Sequence, residues 1–360
     1  MRLLTTLLRL ITFYNAIAHL SGLRGLSWSD RLALPLMTLT WSQPALSWSA
    51  HLVLMIPALI GQLALATLRR RQLDPRQQLR PGHYRDRLIT RLDLPARHGP
   101  VPALHIVPHG GARTAILVTH GSGCDKTFYA WRLVDMLIQR GMAVLLIDLD
   151  GHGESPRPQS FPQMVDSVAD PIGWLQQRYE RVGAIGMSLG GAVLARAVAD
   201  GARVDALALW EVPPRLRLDA HAYRQVQIRE ALAIIQWRML HLFRDGAIDH
   251  VIKAWQTSGI RATISTWDLF DALDVPGSLQ ALAVQKPPTL LVYAGRDAIV
   301  PPEAAAEIAD LARGWAEYHL LPFASHISLP IDLACIRLTA DWLHQHLAIS
   351  SVIRRQNSVN

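Results

Sequence analysis

Val182-Gly183-Ala184-Ile185-Gly186-Met187-Ser188-Leu189-Gly190-Gly191-Ala192-Val193-Leu194-Ala195-Arg196-Ala197-Val198 is the stretch on which the reading of this 360-residue chain turns. Its first four residues form a short apolar run of strand type, and the residues from Gly191 onward have helical composition. The G-x-S-x-G pentapeptide 186–190 therefore falls at a sharp strand-to-helix turn. A serine at such a turn is driven into a strained backbone position, and a Cβ on either flanking glycine would run into the neighbouring strand and helix. The hydroxyl of Ser188 would then project above a sheet edge, placed to attack a carbonyl. A helix-starting turn with a capping serine gives the same five letters, so the partners of the serine decide between the two readings.

Four apolar runs, 114–119, 142–147, 182–185 and 206–210, are short and continuous, as strands buried on both faces are. Helix-like stretches such as 128–139 separate them, an alternation that implies right-handed βαβ crossovers and a mainly parallel sheet. Upstream, Arg87-Leu88-Ile89-Thr90-Arg91-Leu92-Asp93-Leu94 alternates polar with apolar, and 101–107 follows the turn His98-Gly99-Pro100 as its antiparallel mate. Two later runs, 289–294 and 316–321, bring the expected count to eight strands. Between 213 and 288 the periodicity is helical, notably over 223–243 and 248–255, with no strand-like run; this stretch is expected to be a cap inserted after the sixth strand. The predicted layout is a hydrophobic segment and linker over 1–80, an α/β domain over 81–350 and a tail over 351–360.

The formal net charge of +7 is unevenly spread. Residues 1–85 hold ten arginines against two acids, Asp30 and Asp74, whereas the remainder carries 26 basic and 27 acidic residues. A neutral body with basicity confined to an apolar N-terminus suits an anionic lipid surface and argues against nucleic-acid binding. Two cysteines, Cys124 and Cys335, allow neither a zinc-ligand pair nor a disulfide scaffold.

From Leu32 to Leu68 the chain carries only uncharged residues, and 50–66 is its most apolar part. Roughly twenty such residues span a bilayer core. Trp41 and Trp48 precede the run and Arg69-Arg70-Arg71 follows it, the arrangement expected of a transmembrane helix with its positive end in the cytoplasm. An earlier run over 3–20, interrupted by Arg9, is a second span or an interfacial helix; with either one span or two, the catalytic domain is expected on the cytoplasmic side. A buried helical pair packed on the soluble domain is the alternative. Arg9 also breaks the apolar core that a cleaved signal peptide needs.

A serine hydroxyl needs a base within hydrogen-bond reach, itself oriented by a carboxylate. Thr289-Leu290-Leu291-Val292-Tyr293-Ala294-Gly295-Arg296-Asp297 sets an aspartate just past the end of a strand, and Phe323-Ala324-Ser325-His326 sets a histidine in the loop after the last one. The order Ser, Asp, His is the one α/β-hydrolases use.

On these motifs the chain resembles α/β-hydrolases of the esterase and lipase type, over roughly residues 85–347. The resemblance implies that Ser188 is the nucleophile, His326 the general base and then acid, and Asp297 its orienting carboxylate. Glu211, at the end of run 206–210, is a rival acid, because some members of the fold keep their carboxylate there. His120-Gly121-Ser122-Gly123 occupies the place of the family's oxyanion loop, which makes the backbone N–H groups of Ser122 and Leu189 the expected donors to a developing alkoxide. Asp148-Leu149-Asp150-Gly151-His152-Gly153-Glu154-Ser155 resembles the family's structural D-x-x-G-H-G-x-S loop, so His120 and His152 read as loop organisers and Cys124 as packing.

The implied chemistry is hydrolysis of a carboxylic ester through an acyl-enzyme, with no metal or organic cofactor. A serine at the elbow argues against dehalogenase and epoxide hydrolase chemistry, which use a carboxylate there. The apolar residues Ile228, Leu232, Ile235, Trp237, Met239, Leu240, Leu242 and Phe243, with the hydrophobic N-terminus, suggest a lipid-like acyl ester as substrate and membrane association through 1–70. A thioesterase of the acyl-CoA type, an acyltransferase, and a non-catalytic membrane-tethered binding protein are the competing readings.

Overall fold

Continuous apolar runs become the inner strands of one sheet, and the alternating run becomes an outer one. In the computed structural model, which describes residues 79–128, 130–217, 221, 225–226, 229–230 and 260–357 and side chains as far as 348, nine strands pair in the order β1-β2-β3-β5-β4-β6-β7-β8-β9. They are β1 (Gly82–His83), β2 (Arg87–Leu94), β3 (Val101–Pro108), β4 (Thr114–Thr119), β5 (Ala143–Ile147), β6 (Arg181–Met187), β7 (Ala206–Trp210), β8 (Thr289–Ala294) and β9 (Glu317–Leu321). From β5 to β9 every neighbouring pair is parallel, whereas β1, β2 and β3 join antiparallel. The fold is that of an α/β hydrolase, with eight expected strands and a ninth, β1, in a stretch whose two residues are too short to show any periodicity.

The described helices are α1 (Ala130–Gln139), α2 (Gln163–Gln176), α3 (Leu189–Ala199), α4 (Thr266–Leu273), α5 (Val275–Gln285), α6 (Pro302–Ala312) and α7 (Leu333–Asn357). Nine of the eleven residues of α3 are buried, as expected of a helix that is apolar all round. It packs against α2, α4 and α5, and Leu269, Phe270, Leu273, Val275, Leu279 and Leu282 join the same core cluster as Val193 and Leu194. The stretch expected to be a cap therefore includes, from Thr266 to Gln285, two helices that belong to the sheet's own helical layer. A helix roofing a site and a helix covering a sheet share one period, so spacing did not separate them. The last helix runs on to Asn357, into the stretch 351–360 read as a tail.

The N-terminal apolar helices and candidate spans, the run 248–255, and all of the run 223–243 except 225–226 and 229–230 lie outside the described residues. Among the described residues no helix is long and apolar enough to cross a membrane.

Register then sets the site. Thr119 of β4 pairs with Ile147 of β5 and Gly186 of β6, Met187 pairs with Trp210, and Trp210 with Val292. His120, Asp148, Ser188 and Glu211 therefore leave the sheet along one edge. Strand order reverses at β4, whose neighbours β5 and β6 lie on opposite sides, and the loops after β4 and β6 diverge there to open the crevice in which such sheets bind ligands.

Candidate active site

Ser188 sits between β6 and α3 with φ 49° and ψ −114°, a backbone conformation that L-residues with a side chain rarely adopt. Two contacts hold it there: its N–H donates to Trp210 O at 2.8 Å, and its carbonyl accepts from Ala192 N at 3.0 Å as the first helical bond. The flanking glycines are required by close approach. A Cβ on Gly186 would lie 2.5 Å from Gly191 Cα, and one on Gly190 would lie 2.4 Å from His120 O. The second collision is with the loop after β4 rather than with a strand.

The expected partners meet at the serine. Ser188 Oγ lies 3.0 Å from His326 Nε2, and His326 Nδ1 lies 2.8 Å from Asp297 Oδ2. The other carboxylate oxygen of Asp297 accepts the N–H groups of Ile299 and Val300, each at 2.7 Å. Asp297 is thus fixed by its own loop in an Asx turn. With Nδ1–H donating to Asp297, Nε2 is free to accept from the serine hydroxyl.

Glu211 also approaches, its Oε2 standing 3.6 Å from His326 Nδ1. It has a left-handed φ of 51° and a carboxyl buried at the end of β7; the backbone just past it is tied by the Tyr293 hydroxyl, which donates to Val212 O at 2.7 Å. Burial, then the charges of Asp297 and Glu230, push the Glu211 carboxyl well above the usual carboxylate range, favouring the neutral acid. A neutral acid cannot stabilise an imidazolium as a carboxylate does, so of the two candidate acids Asp297 has both the shorter distance and the charge. Around His326, burial pulls the imidazole down, but the Asp297 charge, its hydrogen bond and the Glu230 charge together hold it above 6.5.

Of the two expected oxyanion donors, Leu189 is the first residue of α3, and a helix leaves that N–H without an intrahelical acceptor. Ser122 is exposed in the loop after β4; a Cβ on its neighbour Gly121 would come 3.7 Å from Ser188 Cβ, which brings this loop against the serine. His120 is fully engaged in holding the loop: Nδ1 donates to Gly121 O at 2.8 Å and Nε2 accepts from Leu149 N at 3.1 Å. His152 bonds Asp150 O at 2.9 Å, and burial, with the nearby His120, lowers its imidazole to about 4. Both histidines organise loops. Cys124 and Cys335 are free thiols.

Glu211, Asp297 and His326 offer ligand-type atoms within 4.8 Å of one another. The imidazole nitrogen nearest the two carboxylates is the one already bonded to Asp297, so the same atoms serve the relay.

Two residues at the site carried no signal in the sequence. Glu230, a lone acid in a helical stretch, accepts the backbone N–H of Ala298 on one carboxylate oxygen and that of Ile327 on the other. Lys126, in the loop before α1, is buried and ion-paired with Asp148 and Glu154 of the 148–155 loop. An acid between Ile228 and Leu232 was the one available hint for the first.

Residues 116–334 match the Alpha/beta hydrolase family, and the chain belongs to it. Among solved structures of similar fold are an esterase of Pyrococcus furiosus (16% identity, TM-score 0.53, 76% of this chain and 94% of that one), an esterase of Exiguobacterium antarcticum (16%, 0.52, 72% and 99%), and a hypothetical protein of Pseudomonas aeruginosa (17%, 0.56, 73% and 95%). At such identities the likeness is one of fold. No curated protein sequence matches the chain.

Proposed function

We propose that the protein is a serine hydrolase that cleaves a carboxylic ester through an acyl-enzyme. The observation that carries this reading is the unbroken hydrogen-bonded line from Ser188 Oγ through His326 to Asp297, at 3.0 Å and 2.8 Å. In the reaction, Ser188 Oγ attacks the ester carbonyl while His326 Nε2 takes its proton, and Asp297 stabilises the imidazolium. The carbonyl oxygen becomes an alkoxide facing the N–H groups of Leu189 and Ser122, a pair of donors worth a few kcal/mol of barrier in sites of this kind. The imidazolium passes its proton to the leaving alcohol. A water, deprotonated by the same imidazole, then releases the acid and restores the serine.

For substrate we propose a lipid-like acyl ester, and for location a membrane with the catalytic domain on its cytoplasmic side. Both rest on the sequence: the uncharged run 32–68, the arginine triplet after it, and the apolar residues between 228 and 243. A panel of p-nitrophenyl esters of increasing chain length tests the substrate class. Turnover lost in Ser188→Ala and rising with chain length supports the proposal; a folded protein that binds esters without turning any over makes it a binding protein. Sedimentation of the full chain with membranes, released by detergent and not by salt, tests the anchor.

A further inference from the structure

Glu230 lies in the stretch between β7 and α4 and is 1% exposed. Its Oε1 accepts the N–H of Ala298 at 2.8 Å, and its Oε2 accepts the N–H of Ile327 at 3.1 Å. Ala298 directly follows Asp297, and Ile327 directly follows His326. One carboxylate therefore grips the loops of both the acid and the base. Closer to the strands those loops are already stitched together, Gly295 N to Leu321 O and Arg296 N to Ala324 O, each at 2.9 Å. Past Arg296 the bridge passes to Glu230.

We propose that Glu230 is a positioning residue: by holding Ala298 and Ile327 together it fixes the spacing of Asp297 and His326, and so makes the inserted segment part of the catalytic frame. This rests on the serine-hydrolase reading and deepens it. Three arguments support it. A buried carboxylate is costly unless its oxygens are satisfied, and here both are, by two main-chain donors in the loops that follow successive strands, β8 and β9. Displacements near 1 Å in a catalytic group cost on the order of 10²-fold in rate, so a clamp on both loops acts where rate is most sensitive. The clamp is also charged, and with Asp297 it is one of the groups that hold the imidazole above its usual range against burial. Among the described residues, the titratable groups that face His326 are Asp297 beyond β8, Glu211 at the end of β7 and Glu230.

The test compares the full-length wild type with Glu230→Gln, Glu230→Asp and Glu230→Ala. The readouts are the fluorophosphonate labelling rate at Ser188, kcat and KM for p-nitrophenyl acetate across pH, and the urea midpoint. The expected results are a fall of about 10-fold or more in labelling rate and kcat for Glu230→Gln and Glu230→Ala, with KM within roughly threefold of wild type. In both of these variants the acid limb of the pH profile moves to lower pH. Glu230→Asp keeps the charge but is too short to reach both N–H groups, so its acid limb stays near the wild-type position while its rate stays low. Variants that label and turn over at the wild-type rate, with an unmoved acid limb, overturn the inference. So does loss of cooperative unfolding in the near-isosteric Glu230→Gln, which would make the residue structural. A wild type that neither labels nor turns over fails the hydrolase reading itself, a separate outcome.

Discussion

Asp297 takes the Nδ1–H of His326 at 2.8 Å, while Glu211, the rival acid, stands 3.6 Å from the same nitrogen with a carboxyl pushed toward its neutral form. The two acids are therefore predicted to differ sharply under isosteric substitution. Asp297→Asn removes the charge and turns a donor toward Nδ1, favouring the wrong tautomer; kcat is expected to fall about 10³–10⁴-fold. Glu211→Gln copies the shape and polarity of a neutral acid and is expected to change kcat by no more than roughly threefold. Steady-state kinetics on a short ester measures both. The reverse order would make Glu211 the orienting acid.

The pH dependence has a definite sign. Burial lowers the His326 imidazole, but the Asp297 charge and hydrogen bond, with the Glu230 charge, outweigh it and leave the folded value above 6.5. Attack needs the neutral base, so kcat/KM is expected to rise with pH through a midpoint above 6.5 and then level off. Stability runs the other way. The raised folded value stabilises the protein fully below the unfolded value near 6.5, and this contribution is lost as pH rises through the folded value. Urea midpoints and kcat/KM measured on the same pH grid check both limbs; a midpoint below 6.5 would contradict the account of the imidazole.

The elbow stores strain at Ser188, whose φ of 49° and ψ of −114° suit glycine. Ser188→Gly is expected to abolish turnover and yet to be more stable than Ser188→Ala by about 1–2 kcal/mol. Urea denaturation of the two variants measures the difference. Equal stability would mean that the elbow holds no strain for glycine to release.

Lys126 ties the loop before α1 to the loop after β5. Its backbone N–H donates to Asp148 Oδ1 at 2.8 Å, and its ammonium pairs with Asp148, which is fully buried, and with Glu154. Lys126→Met leaves that carboxylate with the N–H groups of residue 126 and Glu154 as donors and no cation, so a loss of about 3–5 kcal/mol is expected. The urea midpoint reads it, and an unchanged midpoint would show the pair to be dispensable.

The inner strands of the sheet were legible because they are apolar on both faces and bounded by turns: runs such as 206–210 and 289–294 coincide with β7 and β8. Ser188 was legible from its glycine-flanked turn, and Asp297 and His326 from their places just past strand ends in the chain order Ser, Asp, His. Glu230 was not, because its work is done through main-chain groups nearly seventy and one hundred residues away, and no local pattern records so distant a partner. Helices α4 and α5 fall within the expected cap because periodicity reports that a face is buried and is silent on what buries it. β1 leaves no signal because two residues have no period.

The most direct measurement is covalent capture of the full chain by a fluorophosphonate, with the modified peptide identified by mass spectrometry. One adduct is expected, on Ser188, formed in the wild type, absent in Ser188→Ala and strongly slowed in Asp297→Asn. A folded wild type that takes up no label, or that takes it up on a residue other than Ser188, would contradict it.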